Sequence, residues 1–379
     1  MLRHPQLPAR LATSAIFFGN GFGIGTWAAQ LPRFKENLSL TDGQVGIALL
    51  AFGLGAVALM PLVGWLAGRL GSRATTLAAA FGFAATLFLP GLAPTLPLLV
   101  AASLVAGACN GAMDVSMNTN AAAVERAWGS PIMSSFHAFF SLGGLAGATA
   151  SGLMIRAGFG IVPTLAASCA AIALLFVLAA TRMLRDTQAG DGHAFAWPRG
   201  AIVGLAALTL MCFLIEGALV DWSAIYLQTV TGASLEAAVA GFAAFSLTMT
   251  VCRLVGDAVV HRLGRVRTIR VGATLAGSGL ALALLVPDPR IATLGFAVMG
   301  LGLANIVPVL FSAASQVPGI PSGIGVAMVA TFGYAGLLLG PPLIGLGADT
   351  IGLRTALATL VLLALIVFGL ARRVVPSFV

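Results

Sequence analysis

The sequence predicts an all-α integral membrane protein of twelve transmembrane helices, arranged as two pseudo-symmetric six-helix bundles. Three observations predict it. Of 379 residues, 59% are hydrophobic and 8% charged, with a mean hydropathy of +1.02, a balance that a water-soluble chain of this length does not keep in solution. Apolar runs of about 20 residues, the length that crosses a bilayer as a helix, recur along the chain. The pattern laid down in the first half then returns at an offset of roughly 195 residues, as duplicated bundles do. Trp27 returns as Trp222, Asn110 as Asn305, the turn Arg69-Leu-Gly71 as Arg262-Leu-Gly264, and Gly147 and Gly152 as Gly340 and Gly345.

Taken in order, the first-half spans are 11–30, 44–68, 75–93, 97–119, 131–155 and 160–181. The first follows Arg3 and Arg10 but is long enough to cross, so it reads as an uncleaved helix and not a secretory signal. The second ends in a Gly/Arg turn, the third is the weakest, the fourth and fifth carry polar stripes, and the sixth is almost wholly apolar. The second-half spans are 201–227, 236–259, 271–286, 291–315, 321–346 and 353–371. The seventh holds Glu216 and Asp221, the eighth ends in Arg253, Asp257 and His261, the ninth is short, the eleventh is rich in glycine, and the twelfth stops before Arg372 and Arg373. No span alternates with period two, so strands of a barrel are excluded. Residues 184–199, which include Arg185, Asp186, Gln188 and His193, read as a cytoplasmic linker between a first domain, 1–183, and a second, 200–379.

The formal net charge of +8 is a matter of topology. Arg69, Arg73, Arg126, Arg182, Arg185, Arg262, Arg265, Arg267, Arg270, Arg372 and Arg373 fall on one side of the predicted spans, against Arg33, Lys35, Arg156, Arg290 and Arg354 on the other. By the positive-inside rule both termini are cytoplasmic, and the basic groups face anionic lipid and not nucleic acid. Cys109, Cys169, Cys212 and Cys252 all lie within spans and have neither a disulfide framework nor metal-ligand spacing. Forty-seven glycines suit close helix contacts in lipid, as in Gly143-x-x-x-Gly147 and Gly336-x-x-x-Gly340.

The turn after the second span, Gly64-Trp-Leu-Ala-Gly68-Arg69-Leu-Gly71-Ser-Arg73, resembles the signature loop of the major facilitator superfamily in Gly64, Arg69, Gly71 and Arg73. It departs at Gly68, where the family has an acid that holds a gate. Around the core, Asn110-Gly-Ala-Met-Asp114-Val-Ser-Met-Asn118, Phe136-His137, Glu216-Gly-Ala-Leu-Val-Asp221-Trp222 and Gly333-Tyr334 narrow the resemblance to the fucose-permease-like sugar/proton symporters and related bacterial inner-membrane members. The resemblance implies a monomeric secondary active transporter working by alternating access, with no cofactor and a proton gradient as energy source. With the family acid missing, Arg253, Asp257, His261 and Arg262 at the end of the eighth span are the candidate gate in the second half, beside Gly64, Arg69, Gly71 and Arg73 in the first.

Ionisable groups inside a bilayer cost roughly 2.5–3.5 kcal/mol at a helix centre, so each one there needs a reason. Asp114 has Asn110 and Asn118 one turn either side, a stripe that points to a cavity. Counted from the turn near 121–130, Asp114 and His137 come out at a similar depth of ~10 Å, so an Asp–His pair is expected to load and release a proton. The structural alternative is a buried bond that pins two helices. Glu216 precedes Gly217, where a helix can unwind, and is a third proton-coupling candidate. Asn20, Trp27, Gln30, Asn110, Asn118, Asp221, Trp222, Asn305 and Tyr334 supply amides, a hydroxyl and stacking rings that suit a small polar solute. The alternative is a proton-coupled exporter of drugs or metabolites. Its helix-5 signature Gly-Pro-x-x-Gly-Gly is replaced here by Gly147-Ala-Thr-Ala-Ser-Gly152. No phosphate-binding loop and no His-Glu-x-x-His spacing occurs, which argues against ATP drive and against an enzyme.

Overall fold

The computed structural model describes residues 4–40, 42–186, 200–233 and 235–375. These residues fold into helices α1 (Leu7–Asn37), α2 (Asp42–Leu70), α3 (Ser72–Thr86), α4 (Leu96–Trp128), α5 (Met133–Arg156), α6 (Ile161–Ala180), α7 (Ala201–Thr229), α8 (Leu235–Leu263), α9 (Arg265–Leu285), α10 (Pro289–Leu303), α11 (Ile306–Ala314), α12 (Ser322–Ile351) and α13 (Leu353–Val374). Eleven of the helical stretches are long and apolar enough to cross a membrane, α10 and α11 counting together, and the 31-residue α1 precedes them. The protein is therefore a multi-pass helical membrane protein. The ninth span is fuller than its apolar core suggests, because α9 begins at Arg265, immediately after the turn glycine.

Two compact units divide the chain. The first holds Met1–Ser130, Phe136–Ala196 and Pro318–Ala327; the second holds Pro131–Ser135, Trp197–Val317 and Met328–Val379. Each unit thus includes a short segment from the opposite half of the sequence. Residues 187–199 of the expected linker lie outside the described residues.

In the first unit, α1 and α5 meet backbone to backbone. A methyl group at Gly21 would overlap the Phe140 carbonyl, and one at Gly143 or Gly147 would overlap the carbonyl of Phe18 or Phe22. Gly55, Gly107 and Gly111 bring α2 and α4 equally close, each facing a carbonyl of the other helix. Such contacts let dispersion and Cα–H···O interactions replace the hydrophobic drive that lipid does not supply. The turn between α2 and α3 needs Gly71 for its φ of 83°, and its repeat between α8 and α9 needs Gly264 for a φ of 74°.

The second unit repeats this scheme. Gly279 and Gly295 face one another across α9 and α10, as do Gly272 and Gly302, and Gly336 sits on the Leu210 carbonyl between α12 and α7. The Tyr226 hydroxyl donates to the Ala283 carbonyl at 2.8 Å, tying α7 to α9. One difference from the sequence expectation concerns the tenth span, which breaks at Ala304–Asn305 into α10 and α11. The cause is Pro308, which has no N–H for the Ala304 carbonyl four residues earlier and whose ring crowds it. A second difference concerns Gly217, where α7 runs unbroken and does not unwind. There the absent side chain admits Leu337 of α12, whose carbonyl would lie 3.0 Å from a β-carbon at that position.

Candidate functional site

Within the first unit the polar groups of α4 and α5 form a chain. Asn118 Nδ2 donates to the Asp114 backbone carbonyl at 2.8 Å and to Asp114 Oδ1 at 3.3 Å, and Asn118 Oδ1 lies 3.1 Å from His137 Nε2. The expected Asp–His pair is corrected in this respect: an amide stands between the two, and His137 is level with Asn118, one turn below Asp114. The reason is that α4 continues to Trp128 while α5 starts at Met133, so the turn is shorter and lies lower than the count assumed. Asp114 Oδ2 is buried and makes no hydrogen bond among the described residues. Phe17 of α1 meets the His137 ring edge-on at 5.4 Å.

The remaining first-unit candidates knit helices together. Asn20 Nδ2 donates to Asn110 Oδ1 at 2.9 Å and approaches Met113 Sδ at 3.4 Å. Gln30 Nε2 donates to the Ser151 hydroxyl at 2.6 Å, joining α1 to α5. Trp27 stacks on Phe52 of α2 with ring centroids 4.6 Å apart. Asn20, Trp27, Gln30 and Asn110 are all buried, and the indole N–H of Trp27 and Oε1 of Gln30 make no hydrogen bond among the described residues.

In the second unit the break in the tenth span is the organising feature. Arg253 of α8, only 6% exposed, donates from Nε to the Ala304 carbonyl at 3.1 Å, the acceptor that Pro308 leaves open. Sequence reasoning placed Arg253 with the gate, and in the fold its Nε is engaged by the broken tenth span. Asn305 Nδ2 points to the Cys252 carbonyl and sulfur at 3.4 and 3.3 Å, and its Oδ1 fits against Gly256, where a β-carbon would displace it. Tyr334 meets Phe213 edge-on at 6.1 Å. Trp222 lies by Gly345, and Asp221 is exposed. The four cysteines are free.

The candidate gate residues separate. Asp257 Oδ1 accepts from the backbone N–H of Ser135, at the start of α5, at 2.9 Å. Arg253 is buried with its Nε on the Ala304 carbonyl, while His261 is exposed. In the first unit Gly64 and Gly323 touch through their backbones, Arg69 lies over the Trp65 ring at 4.5 Å, and Arg73 grips the Ala180 carbonyl with Nε and Nη2 at 3.1 and 2.8 Å. Sequence reasoning missed Ser135, Asn120, Ser72 and Asp186 as polar partners. For the Arg253 acceptor the signal was present, in a proline four residues after Ala304.

A multi-pass helical protein with a duplicated span pattern and ionisable groups inside its helices belongs, as a class, with membrane transporters and not with enzymes. The profile of the Major Facilitator Superfamily matches residues 13–328, and the chain belongs to that family. It is 36% identical over 371 residues to an uncharacterized MFS-type transporter of Yersinia pestis, covering 98% of this chain and 97% of that one. Its fold is similar to that of the Escherichia coli fucose:proton symporter FucP (TM-score 0.80, 14% identity, 99% of this chain and 100% of that one). It is also similar in fold to the human organic anion transporter TETRAN (TM-score 0.77, 16% identity, 97% of this chain and 100% of that one).

Proposed function

We propose that this transporter moves a small polar solute, sugar-like or another organic solute, by alternating access and couples that movement to protons. The observation that carries the reading is Asp114. Its carboxyl lies within a membrane-spanning helix with one oxygen bonded to Asn118 and the other, Oδ2, making no hydrogen bond. An acid so placed is costly unless it is neutralised at some stage of its working cycle. A proton does so with the least rearrangement, and His137 lies on the far side of the same amide. Glu216, within the membrane-spanning α7, is the second candidate for proton coupling.

For the solute we assign contact to Asn20, Trp27, Gln30, Asn110 and Asn118 in the first half and to Asp221, Trp222, Asn305 and Tyr334 in the second. Gating is assigned to Gly64, Arg69, Gly71 and Arg73 on one side, and to Arg253, Asp257, His261 and Arg262 on the other. The protein on this reading works as a monomer in a bacterial cytoplasmic membrane, both termini inside, in contact with anionic lipid. The domains are the two sequence halves, 1–183 and 200–379, joined by 184–199. Reconstituted vesicles test the reading: solutes drawn from sugars, organic acids and cationic drugs are added with an internal pH dye. Flux of a polar solute with a matched proton movement supports it, efflux of drugs alone favours the exporter, and flux with no pH change removes proton coupling.

A further inference from the structure

Where α1 begins and α6 ends, a cavity of about 640 Å³ lies between them. Leu7 and Leu11 of α1 and Leu175 and Leu178 of α6 give it apolar walls, while His4 and Arg182 also line it, and none of the described lining residues is acidic. Leu11 and Leu178 are exposed, and Leu174 and Val177 carry the same exposed apolar surface along α6. In a membrane-spanning helix such a surface meets acyl chains, so the cavity opens towards lipid.

The two polar groups are positioned to donate. The last two carbonyls of α6 are already taken, Ala179 by the backbone N–H groups of Arg182 and Met183 and Ala180 by Nε and Nη2 of Arg73. The Arg182 guanidinium is therefore not needed to finish the helix, and among the described residues it makes no hydrogen bond or ion pair. His4 is held in place, its ring against that of Trp128 with centroids 3.9 Å apart. Its Nδ1 accepts from the Gln6 backbone N–H at 3.2 Å, which assigns the ring proton to Nε2 and makes that nitrogen a donor. A guanidinium and an N–H beside an apolar trough match a phosphodiester that carries acyl chains. A free phosphate would leave the leucine walls uncovered, and a zwitterionic headgroup would bring an ammonium to a lining without an acid.

We propose that the α1/α6 cavity binds one anionic phospholipid, its phosphate on Arg182 and His4 Nε2 and its chains against the leucine walls. The lipid then joins the start of α1 to the end of α6. The site gives a place to the anionic-lipid contact of the proposed function and rests on that contact alone; it needs no solute, no proton and no particular orientation in the membrane.

Native mass spectrometry of the purified full chain in detergent tests it, with dioleoylphosphatidylglycerol and dioleoylphosphatidylcholine titrated separately. One phosphatidylglycerol should be retained with a preference of roughly tenfold, the worth of one charged hydrogen bond. Arg182→Gln should abolish that preference, whereas Arg373→Gln, which removes the same charge from the end of α13, should keep it. Ala15→Phe fills the cavity from α1 and leaves both donors, so it too should lose the lipid; if that variant does not fold, Arg182→Gln at its exposed position decides. Equal retention of the two lipids by the parent overturns the proposal, as does a loss in Arg373→Gln that matches Arg182→Gln, or undiminished retention in a folded Ala15→Phe. Displacement of the lipid by an equal concentration of glycerol 1-phosphate also overturns it, because the ligand would then be a small phosphate. Flux measurements that remove proton coupling leave this site standing, and loss of the lipid preference leaves the transport reading standing.

Discussion

The fourth span and its repeat, the tenth, began from one pattern and now do different work. Asn110 sits in α4, an unbroken helix of 33 residues, and accepts from Asn20 across the unit. Asn305 sits at the break between α10 and α11, and the carbonyl freed beside it is taken by Arg253. The residue pair that decides this is Met113 against Pro308, the same distance after each asparagine. A proline removes one donor, and the vacant acceptor is met by a buried cation, Arg253. In the first half no such sequence of needs arises, and its acid, Asp114, is left with an unbonded oxygen. Duplication therefore kept a glycine at the matched positions 107 and 302 while the polar chemistry diverged through one backbone change.

Several substitutions break or sharpen that contrast. The largest effect is expected where both spans still carry a glycine, Gly107 and Gly302: Gly107→Leu places a side chain on the Phe52 carbonyl, and overpacking of this kind should abolish recovery of monodisperse protein by size exclusion. Next is Arg253→Met, which leaves the buried Ala304 carbonyl without its charged donor; a loss of ~3 kcal/mol, read as a fall in thermal midpoint, is expected. Met113→Pro carries the break into α4, where no arginine waits for the freed carbonyl of Cys109, and should cost ~3 kcal/mol. Smallest is Pro308→Ala, which restores a donor to a carbonyl that already has one, and should change stability by within about 1 kcal/mol. An equal cost for Met113→Pro and its reversal at Pro308 would show that Arg253 does not compensate the break.

Much of the fold was legible because a bilayer leaves few options. Span lengths, the repeat and the glycine turns at Gly71 and Gly264 all follow from local rules, and each appears where the sequence pointed. The site was legible in its residue types and less so in its pairings. The stripe of Asn110, Asp114 and Asn118 could be read from helical spacing, but the ring position of His137 depended on where α4 ends, a matter of a few residues at Gly129. Arg253 was placed with Asp257 and His261 because they share a helix face in sequence; its burial against the end of α10 is a tertiary fact that spacing along α8 does not contain. Asp186, which accepts from the Ser72 backbone N–H at the start of α3, went unread because a cap delivered from 114 residues away has no local signature.

The central claim is that Asp114 carries the coupling proton, and Asp114→Asn in reconstituted vesicles tests it most directly. The amide keeps the shape of the side chain and can still meet Asn118, but it cannot gain or lose a proton. Two rates are compared with wild type for the same solute: accumulation driven by a pH gradient, and counterflow exchange with solute on both sides and no gradient. The account predicts that accumulation disappears while counterflow persists near the wild-type rate. Accumulation that still follows the pH gradient in Asp114→Asn would contradict it.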